Sequence, residues 1–140
     1  MDEVQRRGAT KLITLPDILV IEDDAALQAT MEAALVDEGF EPAIAASGEE
    51  AITLLKSDRN NYRALVTDIR LHGRIDGWEV ARIARAIDPA FPVIYITGAG
   101  ADRWAFQGVP GSILLEKPFA PADLVTVIQQ LLNKVQSVES

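Results

Sequence analysis

The chain has no cysteine, so neither a disulfide framework nor a thiolate metal site is available to it, and its fold must rest on packing alone, as suits a reducing cytoplasm. Basic residues are scarce. Lys and Arg number 13 against 21 Asp and Glu, and a formal net charge of −8 argues against general affinity for nucleic acid or an anionic membrane. Partners are therefore expected to be proteins. No apolar run approaches the roughly 20 residues of a membrane span, and Met1 to Pro16 carries Arg6-Arg7 without the apolar core of a secretory signal, so a soluble, cytoplasmic protein is expected. Internal repeats, low-complexity tracts and heptad runs are also missing, which excludes solenoids and coiled coils.

What is present is apolar material for one domain: 140 residues, 49% of them hydrophobic. Residues 1–16, with Gly8, Thr10, Thr14 and Pro16 and no periodicity, read as a flexible extension. After Pro16, short β-branched runs alternate with longer amphipathic ones in five βα units, the signature of a parallel sheet covered by helices. Strands are expected over Ile18–Ile21, Glu41–Ala46, Ala64–Ile69, Val93–Thr97 and Ser112–Leu115. The first helix places Leu27, Met31, Ala34 and Leu35 on one face before Gly39 stops it, and Ser47 with Glu50 forms a capping box for the second. A polar turn, Ser57 to Asn61, follows. The third helix runs from about Trp78 to Ala86, the fourth is short and softened by Gly98 and Gly100, and the last runs from Pro121 to about Val135 ahead of a frayed tail.

Four chemically matched sites close these strands: Glu22-Asp23-Asp24 after the first, Asp68 near the end of the third, Thr97 at the end of the fourth and Lys117 after the fifth. The C-terminal ends of parallel strands are where an open α/β sheet places its ligand site. Carboxylates about 4 Å apart repel by roughly 4 kcal/mol at an effective dielectric of 20, so the cluster calls for a cation, while a lysine and a threonine suit an oxygen-rich anion beside it. Taken singly, each site has an ordinary reading: a solvated helix start, a turn aspartate, a capping threonine, a surface lysine. Taken together and in order, they point to magnesium-assisted phosphoryl transfer onto an aspartate.

Glu22-Asp23, Asp68, Thr97-Gly98 and Lys117-Pro118-Phe119 in this sequence resemble the receiver domain of bacterial two-component response regulators, over nearly the whole chain from Ile18 to Val135. The resemblance implies a flavodoxin-like, doubly wound α/β fold with a five-stranded parallel sheet in the order 2-1-3-4-5, a receiver domain over residues 17–136, and a stand-alone regulator. It implies Asp68 as the acceptor of a phosphoryl group from a histidine kinase or histidine phosphotransfer protein. Mg²⁺ is expected on Asp23 and Asp68, on Glu22 through water, and on the backbone carbonyl of Arg70, with Lys117 neutralising phosphoryl oxygens and Thr97 acting as a switch. The Lys117–Pro118 bond is expected to be cis.

Two departures from the family pattern stand out. Leu114 occupies the position of the usual aromatic toggle on strand five, and His72 occupies that of a common loop proline, with Asp76-Gly77 one residue late, so the loop is expected to bulge. His72 reads as an exposed loop histidine rather than a phosphodonor. Of Trp104 and Phe106, one is expected in the core and one on a partner surface, while Val125 and Leu132, off the core stripe of the last helix, are expected on a dimer or partner face. Three other readings compete. An aspartyl-nucleophile phosphohydrolase needs a second acid where Arg70 stands, a flavin module would suffer repulsion from Glu22-Asp23-Asp24, and a non-phosphorylated pseudo-receiver would lack at least one chemical residue.

Overall fold

Side chains alternate across a strand, and here successive residues of three central strands feed two separate cores. The structure, a computed structural model, describes residues 15–57, 61–98 and 101–139, of which Ala101 and residues 135–139 are described by backbone alone. Ile18–Ile21 (β1), Ala64–Asp68 (β3) and Val93–Thr97 (β4) are buried along their whole length, whereas Pro42–Ala45 (β2) and Ile113–Glu116 (β5) are only partly covered. All pair in parallel in the order β2-β1-β3-β4-β5, so the two less covered strands are the edges of a doubly wound sheet.

Five helices cover the sheet: Ala25–Asp37 (α1), Gly48–Leu55 (α2), Gly77–Ile87 (α3), Ala101–Gln107 (α4) and Pro121–Glu139 (α5). Leu19, Ile21, Leu65, Val93 and Tyr95 pack against α2 and α3 through Ala51, Leu55, Trp78, Val80, Ala81 and Ala84. On the opposite face, Ile18, Val20, Val66, Ile94 and Ile96 meet α1 through Met31 and Leu35, and α5 through Leu124, Ile128, Leu131 and Leu132. At about 25 cal/mol per Å² of apolar surface removed from water, these two layers are the main source of stability in a chain with no covalent staple.

The helix boundaries follow from local chemistry. Asp24, Ser47 and Asp76 cap α1, α2 and α3, their side-chain oxygens accepting the N–H groups of Leu27, Glu50 and Glu79 at 3.0, 3.2 and 2.9 Å. Glu50 reaches back to the N–H of Ala46 rather than of Ser47, a one-residue variant of the capping box. α1 stops at Gly39, whose φ of 89° lets the N–H groups of Gly39 and Phe40 close on the carbonyls of Val36 and Leu35.

The last helix corrects two expectations. Val125 and Leu132 are buried, at 7% exposure each, and do not form a partner face. α5 packs against α1 as well as the sheet, so its apolar stripe is wide enough to take in the positions beside Leu124 and Leu131. The helical backbone also continues to Glu139 rather than ending at about Val135, since no Gly or Pro interrupts it. Residues 1–14 of the extension, 58–60 of the polar turn, Ala99, Gly100, Ser140 and the side chain of Val135 lie outside what the structure describes.

Candidate functional site

Strand register builds the site. Ile21 pairs with Thr67, which sets Glu22 level with Asp68; Asp68 pairs with Ile96, which brings Thr97 just beyond it; and Thr97 pairs with Glu116, which sets Lys117 next in line. The last link is itself hydrogen-bonded, the Lys117 N–H donating to the Thr97 carbonyl at 2.8 Å. The Lys117–Pro118 peptide is cis.

Glu22, Asp68 and Thr97 are buried, and Asp23 is half-buried. Carboxylate oxygens of Glu22, Asp23 and Asp68 lie within 4.8 Å of one another, while Asp24 turns away to cap α1. Lys117 Nζ donates to Asp68 Oδ2 at 2.9 Å and stands 3.3 Å from Glu22 Oε1. One ammonium thus serves two acids in a poorly hydrated corner. Glu22 Oε2 accepts the Asp24 N–H at 3.1 Å, but buried Oε1 has no hydrogen-bond partner of acceptable geometry.

These contacts set the protonation balance. Burial pushes the Glu22 carboxyl up to about 7; the Asp24 N–H opposes this, the Asp68 charge adds to it, and Lys117 offsets it only in part. Burial pulls the Lys117 ammonium down, but its bond to Asp68 and the charges of Asp68 and Glu22 outweigh that and hold it above the ordinary lysine value. A buried carboxylate whose one cationic neighbour is shared with Asp68, clustered with two further carboxylates, fits a hard divalent cation with oxygen ligands better than it fits the protein alone.

The loop after β3 frames the mouth. The expected exposed histidine is exposed, yet it touches the site: His72 Nδ1 lies 3.0 Å from Asp23 Oδ2, and the His72 N–H donates to the same oxygen at 3.2 Å. Glu49, on α2, accepts the Arg74 N–H at 3.1 Å and anchors the far side of the loop. Gly77 closes it. A Cβ there would fall 2.1 Å from the Asp68 carbonyl oxygen, so only glycine permits α3 to start against the acceptor strand. Neither the His72 contact nor this approach is written in local spacing; an Asp-Gly pair after an acidic strand end was the only available hint.

The remaining sequence-selected residues scatter. Leu114 is half-buried on β5 against the α2–α3 core, where Tyr95 is wholly buried and stacks at 4.8 Å and 58° on Trp78. Trp104 packs against that core and donates from Nε1 to Ser112 Oγ at 3.0 Å, whereas Phe106 is 89% exposed. Arg70 is exposed beside the site. No helix among the described residues is long and apolar enough to cross a membrane.

Comparison with known proteins agrees with this geometry. A family model described as the response regulator receiver domain matches residues 18–129. The transcriptional regulatory protein AfsQ1 of Streptomyces coelicolor is 36% identical over 112 residues, covering 71% of this chain but 48% of its own length. This chain thus spans about half of that relative and only 24% of the NtrX-like putative response regulator of Rickettsia felis. Among solved structures, a response regulator receiver protein from Sinorhizobium medicae WSM419 superposes with a TM-score of 0.82 at 47% identity, over 86% of this chain and 97% of that one. The receiver domain of sensor histidine kinase PA1611 from Pseudomonas aeruginosa PAO1, which has magnesium coordinated in its active-site cleft, gives 0.73 at 29% identity, over 86% and 99%.

Proposed function

Because this chain belongs to the response regulator receiver domain family, we propose that it takes a phosphoryl group onto Asp68 from a phosphohistidine of a histidine kinase or phosphotransfer protein. The observation that carries this is the Lys117 ammonium on Asp68 Oδ2 at 2.9 Å, inside a cluster of three carboxylates. An oxygen of Asp68 attacks phosphorus as the bond to the imidazole nitrogen breaks, its electron pair returning to a ring protonated on the other nitrogen, which gives an acyl phosphate and a neutral histidine on the donor. Asp23, Asp68, the Arg70 carbonyl and, through water, Glu22 would hold magnesium, which when bound would supply positive charge beside the phosphoryl oxygens. Lys117 shifts part of its interaction from the Asp68 carboxylate to those oxygens, and Thr97, buried at the end of β4, responds to them through its hydroxyl.

The product is a signal read through protein contacts, and turnover is limited to slow hydrolysis of the acyl phosphate. The test is incubation with magnesium and acetyl phosphate, followed by intact mass. Wild type is expected to gain one phosphoryl group and Asp68→Asn none. A gain that persists in the mutant overturns Asp68 as acceptor, and steady turnover of a small phosphate ester would make the protein a hydrolase instead.

A further inference from the structure

Beside the acceptor, a cavity of about 720 Å³ opens between α3 and α4, and the phosphoryl chemistry proposed above uses none of its side chains. Its lining includes Arg70 from the loop after β3, Arg82 from α3 and Arg103 from α4, against two acids, Asp76 and Asp102, with Trp78 beneath. A local excess of positive charge in a chain of net charge −8 stands out from the rest of the surface. Asp76 is already engaged as the cap of α3. Arg82 has only a long 3.8 Å pair with Glu79 at half exposure, and Arg103 forms no ion pair among the described residues. On α4, Phe106 lies three positions from Arg103 and shares its face, at 89% exposure.

We propose that this groove docks an acidic segment of a partner protein carrying an apolar side chain, the acids meeting Arg82 and Arg103 and the apolar group covering Phe106. Arginine and aromatic side chains are the residues that most often dominate protein interfaces. A small polyphosphate is less suited, because the start of α3 is closed by the Asp76 carboxylate and Asp102 sits in the first turn of α4. The volume suits a few side chains of an extended segment rather than a whole domain. The proposal rests on the reading that this chain signals through protein contacts, but binding does not require phosphorylation.

The test pans a phage library of random dodecapeptides on the full chain and on Arg82→Glu/Arg103→Glu, then measures the most enriched peptide, fluorescein-labelled, by anisotropy. Wild type is expected to select peptides with several acids and an apolar residue. Affinity should fall about tenfold in the double variant and about threefold in Phe106→Ala, and stay within about twofold in Lys134→Glu, a charge reversal on α5 away from the groove. Arg103→Glu alone serves if the double variant melts early. No acidic selection, or an equal loss in Lys134→Glu, overturns the proposal. So does arginine-dependent displacement by ATP, which would mark a small-anion site, or self-association lost in the double variant, which would place a second copy there. Phosphoryl uptake measured by intact mass on the same variants should persist, so failure of docking is separable from failure of Asp68 as acceptor.

Discussion

The strand-end site and the α4 segment lie at the same edge of the molecule and are built in opposite ways. Glu22, Asp68 and Thr97 hang from β1, β3 and β4, the strands buried along their whole length, so register and core packing hold them. α4 is a seven-residue helix with one side chain, Trp104, known to be held inward and another, Phe106, left in water. Short helices gain little from their own hydrogen bonds, and elements with few buried contacts open most readily. The proposed acceptor chemistry is therefore carried by strands packed on both faces, and the proposed docking surface lies on a short helix with few buried contacts.

The sharpest way to break that comparison is to remove charge from the rigid side. Lys117→Ala should slow phosphoryl uptake from acetyl phosphate about 10²- to 10³-fold, the usual cost of losing one preorganised donor, as followed by intact mass against time. A loss below about threefold would mean that Lys117 holds Asp68 only in the resting state. Gly77→Ala tests rigidity itself. A methyl group 2.1 Å from the Asp68 carbonyl oxygen must displace either α3 or the end of β3, and overpacking of this kind costs typically about 1–3 kcal/mol. Urea unfolding should show the loss, with magnesium affinity falling too, because the acceptor strand moves.

Glu22 gives the next effect, and its sign depends on pH. Its folded pKa of about 7 lies above the ordinary 4.5, so between those values the folded chain holds more proton than the unfolded one. The stabilisation from that proton is complete below 4.5 and is lost as pH rises through 7. Thermal melts without magnesium should therefore show wild type weakening relative to Glu22→Gln between about pH 5 and pH 8, by on the order of 3 kcal/mol at the upper end. Millimolar magnesium should narrow that gap, since a cation favours the ionised acid. A pH-independent gap would mean that burial of Glu22 is not what opposes its charge.

What was legible in the sequence follows the same division. Asp68, Thr97 and Lys117 could be read because each closes an apolar run whose length sets its level at the sheet edge, and parallel register then does the rest. Val125 and Leu132 could not be placed from the period of α5 alone, because α5 packs against a second neighbour, α1, as well as against the sheet. The His72 contact with Asp23 joins residues 49 apart through a loop, and the need for glycine at position 77 depends on how closely α3 approaches β3. Both are tertiary facts with no local period to betray them.

The smallest expected effects come from α4, and they separate its two aromatic residues. Trp104→Phe keeps most of the ring against the core but deletes the Nε1–H bond to Ser112 Oγ, so a cost of about 1 kcal/mol is expected. Phe106→Ala removes a ring that is 89% exposed and should leave stability within about 0.5 kcal/mol of wild type, checked by urea unfolding. If Phe106→Ala proved as costly as Trp104→Phe, the ring would be packing in solution and α4 would not present an exposed aromatic. If it is neutral to stability yet lowers peptide affinity, the side chain is kept in water at no structural benefit, which is what a contact surface beside the acceptor requires.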